Sequence, residues 1–562
     1  MTTYTLQTKD YKHFKLISQN EDFVEPIHFD DATLANGCFH GDTVSYTPTE
    51  GCQLIERCEH PLLAGILDLR GKTKYGFTSR GVPMYLFSPH RSEYPSFVVG
   101  CTDRDLTKNK LVLVQISDEE QASKSGRSLP RGTLHEVLGN CGDPSKERLA
   151  LLWAYTPFMM QKTLYESEGN RSSKRREFEL RPKTPANTFH IDPPECHDVD
   201  DVLSIEKVGD GNYRIWITIS DVAEWIEPGT AIDSFAKRAG FTTYENGIQV
   251  RPMLPPGYSE NLCSLLPGKE GLGISLVFDW DGSSITNVLF LKTTVHVKRS
   301  YTYEQANAEQ SEEFNVLRRI TEFLTGTKET DAHSVIETLM ILYNREVASI
   351  LRVCGVGILR KHESHELSKW EKFEALAPEC TPLAYKVAKY CSADVSDVYH
   401  AGLGVAAYCT VTSPIRRYAD LVNQRILKSF LGFSKQEIVH PELDLDALNT
   451  RQKDIKKYER DYFFLTNMFA NEGRILKGIV LNWKDSQQGE GQITFYVYFP
   501  EWKRILKWRT GGKIVGDRVL AYLWHRKVAH QTYVEELQAL KFEIYWNPQE
   551  RYWKDKLVLR LA

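Results

Sequence analysis

Residues 189–204 read FHIDPPECHDVDDVLS. Within ten residues this stretch carries Asp192, Asp198, Asp200 and Asp201, entered through apolar residues and the pair Pro193–Pro194. Four carboxylates so close repel one another, which is costly unless cations or hydrogen-bond donors neutralise them. Oxygen ligands without cysteine or histidine partners suit hard cations, Mg2+ or Mn2+. Two such ions about 4 Å apart can activate a water and stabilise the leaving oxygen of a phosphodiester. On spacing alone, an acidic surface loop is the plainer account. An EF-hand is excluded, because there is no D-x-D-x-D-G frame and no glycine at the turn.

Working outward, VLSIEKV (202–208), GDGN and YRIWITISDV (213–222) carry the alternating apolar positions of a β-hairpin. HSVIETLMILYNREVASIL (333–351) places Ile336, Leu339, Met340, Tyr343, Val347 and Ile350 at helical spacing. Further helices are expected at TSPIRRYADLVNQRILKSFL (412–431) and through DIKKYERDYFFLTNMF (454–469). The centre of the chain therefore reads as one α+β domain. Upstream, CFHGDTVSYTP (38–48), GFTSRGVPMYLF (76–87) and KLVLVQIS (110–117) are short β-like runs, the pattern of one or two small β-barrels. Segment 163–185 is polar, mixed in charge and closed by prolines, so it reads as an exposed connection with Lys174, Arg175 and Arg176 as a solvated patch. After 472, GIVLNW, QITFYVYF and VGDRVLAYLW return to short strands, a further small barrel. The chain has no repeat of fixed period and no low-complexity tract.

A second constellation is TVTSPIRRYADL, 410–421. Ser413 before Pro414 reads as a helix start, with serine at the N-cap and proline at the first helical position. Arg416 and Arg417 would then crowd the positive end of the helix dipole. A phosphate would remove the conflict by taking backbone N–H groups and a guanidinium fork together. A merely solvated arginine pair is the competing account.

The bulk numbers bound these readings. At 562 residues the chain is too long for one core, and a length prior gives about three to four domains. Hydrophobic residues are 41% and charged residues 26%, ordinary for a globular protein. No run of about 18 apolar residues suggests a membrane span. The start, MTTYTLQTKDYKHFKL, lacks the apolar region of a secretory signal, so an intracellular, cytoplasmic location is expected. Eleven scattered cysteines without a CxxC pair indicate reduced thiols rather than a zinc site or disulfide framework. Seventy Lys+Arg against 74 Asp+Glu give a net charge of −4. Any nucleic-acid binding must therefore focus positive charge into a groove. EWKRILKWRTGGKIVGDRVLAYLWHRK (501–527) offers such a surface, interleaving Lys503, Arg504, Lys507, Arg509, Lys513, Arg526 and Lys527 with Trp502 and Trp508. A barrel core with solvated lysines is the alternative.

HIDPPECHDVDD resembles the four-aspartate motif of the RNase II/RNase R (RNB) family. FTTYENGIQVRPMLPPGYSENLCSLLPG (241–268), VIETLMILYN (335–344), GLGVAAYCTVTSPIRRYADLVNQRIL (402–427) and KYERDY (457–462) resemble its further blocks in the expected order. The resemblance covers about 185–470, and several ordered motifs are far more specific than any one. It implies a multidomain protein: an α+β RNB catalytic domain at 185–470, flanked by small all-β OB-fold barrels. These would be cold-shock-like folds at 1–60 (short enough to be degraded) and 61–145, a helical or linker segment at 146–184, and an OB fold at 471–562.

The resemblance further implies a monomeric, metal-dependent 3′→5′ exoribonuclease that hydrolyses single-stranded RNA processively to nucleoside 5′-monophosphates. Asp192, Asp198, Asp200 and Asp201 would hold Mg2+ or Mn2+, with Asp200 the aspartate most critical for cleavage. Arg416 would clamp the scissile phosphate and Arg417 contact phosphate more generally. Tyr244 would stack on a base near the RNA 3′ end. Tyr303 and Glu337 would read the ribose, whose 2′-hydroxyl both donates and accepts. Glu459 matches another active-site glutamate, with a surface i,i+4 ion pair an equal alternative on local grounds. Asp221 and His362 are read as structural. Cys409, Thr410 and Val411 depart from the usual Thr-His-Phe, and Thr338 stands where an acidic residue often follows Glu337; both put the shape of the RNA entrance in question. No P-loop or dinucleotide fingerprint implies a nucleotide cofactor, and there is no sign of an added endonuclease domain. The rival readings are an inactive RNA-binding scaffold and a DNA-directed metal nuclease, the latter having no use for ribose-reading groups.

Overall fold

The alternating run after the aspartates becomes the antiparallel pair Asp201–Gly209 and Asn212–Ser220, in register from Asp201↔Ile219 to Lys207↔Tyr213 and shifted by a bulge before Gly209↔Asn212. Gly211, at φ 75°, turns the chain between them. The computed structural model describes residues 2–19, 25–117, 129–328, 330–434, 443–470, 473–485, 491–525, 528–547 and 556–562. Two compact units result: Met1–Pro157 with Lys372–Pro382 and Lys456–Ala562, and Phe158–Glu371 with Leu383–Ile455.

In the central unit the hairpin forms the middle of a six-stranded sheet. Its order is Ile285–His296, Glu270–Trp280, Asn212–Ser220, Asp201–Gly209, Phe189–Ile191, Arg299–Tyr301. The last two strands are parallel; the other neighbours are antiparallel. Ile215, Ile217, Ile219, Ile274, Leu276 and Phe278 are fully buried and share one core with Leu339, Tyr343, Val347 and Leu351 of the helix Ala332–Cys354. Each such aliphatic or aromatic side chain taken from water contributes about 1.5–3 kcal/mol. Asp331 caps that helix by accepting the Ser334 N–H at 2.7 Å, and Gly355 ends it in the left-handed conformation.

Segment 163–185 is not the plain connection its polarity suggests. It forms the helices Lys162–Tyr165 and Arg175–Leu180. Arg181, only 5% exposed, then reaches Asp221 at 2.8 Å and Glu224 at 2.9 Å. Lys428 meets the same two carboxylates at 2.7 and 2.8 Å. These cations hold the Asp221 carboxyl below its ordinary range against a large burial penalty. Asp221 is thus structural.

In the terminal unit, residues 4–56 carry five short strands in the order Ile27–Phe29, Phe14–Ser18, Tyr4–Thr8, Thr43–Thr47, Gly51–Glu56. Strands within 63–140 form a closed five-stranded barrel, and those within 475–561 a seven-stranded sheet. The HGD turn at 40–42 has a definite task. Asp42, fully buried, accepts the N–H groups of Phe39 (2.7 Å) and Cys58 (3.1 Å) and pairs with Arg57 and His60. His60 in turn meets Tyr94, which belongs to the second barrel's core.

Trp502 and Trp508 do not form an aromatic surface for RNA. Both are buried: Trp508 stacks on Phe495 at 4.7 Å and Trp502 meets Phe464 edge-on at 5.3 Å. Period-two alternation puts Lys507 and Arg509 on the opposite, exposed face of their strand. Arg526 and Lys527 lie outside the described residues.

The helix through 454–469 is longer than its sequence signal, Leu445–Ala470, and the division between the units falls within it, at Ile455/Lys456. All eleven cysteines are free. Among the described residues no helix is long and apolar enough to cross a membrane.

Candidate active site

The strand Phe189–Ile191 delivers the chain to Asp192, after which Glu195 adopts a left-handed backbone, φ 62°. The loop is then pinned from the neighbouring block. Ser264 Oγ accepts the Val199 N–H at 2.9 Å and donates to the His197 carbonyl at 2.7 Å. The Leu265 N–H bonds the Val199 carbonyl at 3.0 Å, and the Ser220 N–H bonds the Asp200 carbonyl at 2.8 Å. These bonds fix the backbone on both sides of Asp200.

Its side chain, 4% exposed, is held as tightly. One carboxylate oxygen accepts the Ile415 N–H at 3.0 Å and the other accepts Nε of Arg416 at 3.2 Å. Nη2 of Arg416 donates to Ser413 Oγ at 3.1 Å, and about half of the guanidinium side chain, 49%, stays exposed. The two constellations of the sequence thus meet at Asp200.

The helix start expected at Ser413 is displaced. The helix runs Tyr418–Phe430 with Arg417 at its N-cap, while Ser413–Arg416 is a turn closed by the Arg416 and Arg417 N–H groups on the Ser413 carbonyl. The cause is competition for backbone groups. The Arg416 carbonyl accepts the Thr242 N–H at 3.0 Å and Arg417 bridges to Phe241, whereas the Ile415 N–H, which a first helical turn would leave unpaired, is free to bond Asp200. Arg417 pairs with the fully buried Asp420 at 2.8 Å, which also accepts the Ser413 N–H at 2.9 Å. The dipole conflict is therefore met by a protein carboxylate at Arg417 and by Asp200 at Arg416.

Burial pushes the Asp200 carboxyl up to about 7, against the opposing pull of Arg416 and the Ile415 N–H. Burial, then the charges of Asp192 and Asp200, raise Asp201 well above the usual carboxylate range. Clustered carboxylates that resist ionisation, with oxygen donors only, are the donor set a hard divalent cation needs. The oxygen-only chemistry of these four residues suits Mg2+ or Mn2+, while among the described residues no three of them bring ligand atoms within 4.8 Å of one another.

Among the other expected site residues, Tyr244 lies on the small hairpin Thr243–Glu245/Ile248–Arg251 and donates its hydroxyl to Asp198. Burial and the Asp198 charge raise its phenol, so it stays a donor. Tyr303 begins the helix Tyr303–Ala308; burial, then the charges of Asp192 and Asp201, push its phenol up to about 12. Asp192, Asp198, Asp200, Asp201, Arg416, Tyr244 and Tyr303 are thus brought together. Glu337 is exposed on the helix Ala332–Cys354, and among the described residues no hydrogen bond or ion pair ties it to the carboxylates. Glu459 belongs to the terminal unit, where burial raises its carboxyl. The departures from the family pattern are core positions. Cys409 is fully buried with Sγ 3.2 Å from the Asn344 carbonyl, Val411 donates its N–H to the Asn344 side chain, and Thr338 is 9% exposed.

Sequence reasoning missed Ser264 and the Ile415 N–H. The serine stands in the block NLCSLLPG without any local sign of its task, and a backbone donor has no residue signature. Within the terminal unit, a cleft of about 660 Å3 is lined by Arg91, Arg504, Lys507 and Arg509 with Tyr94 and Phe464.

An α+β domain carrying four aspartates and an arginine, in a chain that also forms small β-domains, defines a class of multidomain protein. Residues 180–319 and 308–432 match the RNB domain. Exoribonuclease 2 of Buchnera aphidicola is 28% identical over 354 residues, covering 48% of this chain and 54% of the relative. The chain spans about half the length of such curated relatives. The apo form of Mycoplasma genitalium RNase R superposes with a TM-score of 0.71 at 17% identity, covering all of both chains. Yeast Ssd1, described as a pseudonuclease, gives 0.69 at 14% identity, covering all of this chain and 96% of that one. Residues 180–432 carry the RNB domain of the RNase II/RNase R family.

Proposed function

We propose that this chain is a metal-dependent 3′→5′ exoribonuclease, acting in the cytoplasm as a monomer. It hydrolyses single-stranded RNA processively to nucleoside 5′-monophosphates. The observation that carries the reading is the meeting of Asp200 with the Ile415 N–H and the Arg416 guanidinium inside a cluster of four aspartates. Asp192, Asp198, Asp200 and Asp201 would hold Mg2+ or Mn2+, which would supply a water activated near neutral pH and charge stabilisation at the phosphoryl oxygens.

The chain's own residues divide the remaining work. The exposed part of the Arg416 guanidinium binds the scissile phosphate and stabilises the charge that develops on it. Ser413 and Asp200 fix its orientation. Tyr244 holds Asp198 through its hydroxyl while offering its ring to the terminal base, where stacking contributes about 1–3 kcal/mol irrespective of sequence. Tyr303 and Glu337 contact the ribose, Arg417 and Glu459 the strand more broadly. The cleft of the terminal unit, where Lys12, Lys507 and Arg509 stand with Asp10 and with Arg91 and Arg504 paired to carboxylates, gathers single strands.

The fold likeness to a pseudonuclease favours a second reading, an inactive RNA-binding scaffold. The full set of aspartates and Arg416 speaks against it. Incubating the protein with 5′-labelled oligoribonucleotide, a 3′-blocked copy and the matched DNA, with Mg2+ or with chelator, separates the readings. Stepwise shortening of unblocked RNA alone, abolished by chelator and by Asp200→Asn, is expected. RNA binding without shortening selects the scaffold, and equal attack on DNA overturns the ribose assignment.

A further inference from the structure

Asp192 has a dedicated partner. His190, 6% exposed, places Nδ1 at 2.9 Å from Asp192 Oδ2 and Nε2 at 2.6 Å from Ser300 Oγ. The two residues stand at i and i+2 on one extended segment, so their side chains share a face. Ser300 is directly opposite His190 on the parallel strand Arg299–Tyr301, and the Asp192 N–H closes the same strand pair on the Tyr301 carbonyl at 3.1 Å. Both ring nitrogens are engaged, which fixes the imidazole plane, and the ring engages only one oxygen of the carboxylate. The chain Ser300–His190–Asp192 therefore orients a carboxylate whose charge reaches Asp201 and Tyr303.

We infer that His190 is a positioning residue for cation binding: braced by Ser300, it holds Oδ2 of Asp192 and so presents Oδ1 to a divalent ion. This rests on the metal-nuclease reading above. A partner that orients a liganding carboxylate typically contributes 10–100-fold in metal affinity. A histidine that merely packs two strands together would contribute nothing there.

The test is Mn2+ binding by calorimetry on the full chain without RNA, with RNA shortening against Mn2+ concentration in parallel. His190→Leu keeps the bulk and removes the bond. Its Mn2+ dissociation constant is expected to rise about 10–100-fold, and half-maximal activity to move by the same factor, with the rate at saturating Mn2+ within about threefold of wild type. His190→Asn keeps a donor one bond from Cγ, where Nδ1 stood, and should restore affinity to within about threefold. Ser300→Ala, which removes only the brace, should weaken Mn2+ binding less than His190→Leu and decides the matter if the latter fails to fold. Wild-type Mn2+ affinity in folded His190→Leu, equal loss in His190→Asn, or no change in Ser300→Ala overturns the inference. Those outcomes leave a wild-type enzyme that still binds Mn2+ and shortens RNA, whereas a wild type that does neither sinks the nuclease reading as well.

Discussion

At the scale of single residues, the account turns on a carboxylate kept where it resists its own charge. Asp200 is buried and its carboxyl is pushed up to about 7. Between the ordinary carboxylate range near 4 and that value, the metal-free folded chain binds more protons than the unfolded one. Stability therefore falls as pH rises through this window, and the loss is complete above it. In chelator, Asp200→Asn should consequently melt above wild type at pH 8 and lose that advantage at pH 5. Thermal unfolding at the two pH values checks this, and an equal gap at both would refute it. The same variant should lower RNA shortening by at least about 10²–10³-fold, the usual effect of removing one group that serves the transition state. The aspartates and Arg416 stood out in the sequence through several family-like motifs in order, since spacing alone favoured an acidic surface loop. The Ile415 N–H was not, since every residue carries one.

At the scale of elements, backbone bonding overrode a local signal. Ser413–Pro414 has the chemistry of a helix start, yet the helix begins at Tyr418 because the Arg416 carbonyl is taken by Thr242 and Arg417 bridges to Phe241. The helix Ala332–Cys354 and the hairpin at 201–220, by contrast, follow their apolar periodicity closely, since a whole buried face enforces each. Ser264 works at this scale too, tying the aspartate loop to a segment more than sixty residues away. Ser264→Ala leaves a buried N–H and a carbonyl without that partner and should cost about 1–3 kcal/mol. Denaturant unfolding measures it, and a loss of Mn2+ affinity alongside would show the loop loosening. Unchanged stability would mean the loop holds itself.

At the scale of the molecule, what the sequence conveyed was the succession of β-rich, mixed and β-rich regions; what it hid was which polar residues are buried. Trp502 and Trp508 looked like a binding surface and are core, because composition cannot tell which face of a strand points inward. Arg181 looked like part of a solvated connection and instead enters the buried network of Asp221, Glu224 and Lys428. Asp221→Ala strands two buried cations and should destabilise the central unit by about 3–5 kcal/mol. Asp221→Asn should recover part of this, and a neutral result for both would remove the network from the account. The central claim, that the four aspartates form one cation pocket, is tested most directly by anomalous diffraction from crystals soaked in Mn2+. The expected map has its strongest peak enclosed by Asp192, Asp198, Asp200 and Asp201, at oxygen distances of about 2.1 Å. A featureless map there, at a Mn2+ concentration that supports RNA shortening, would contradict it.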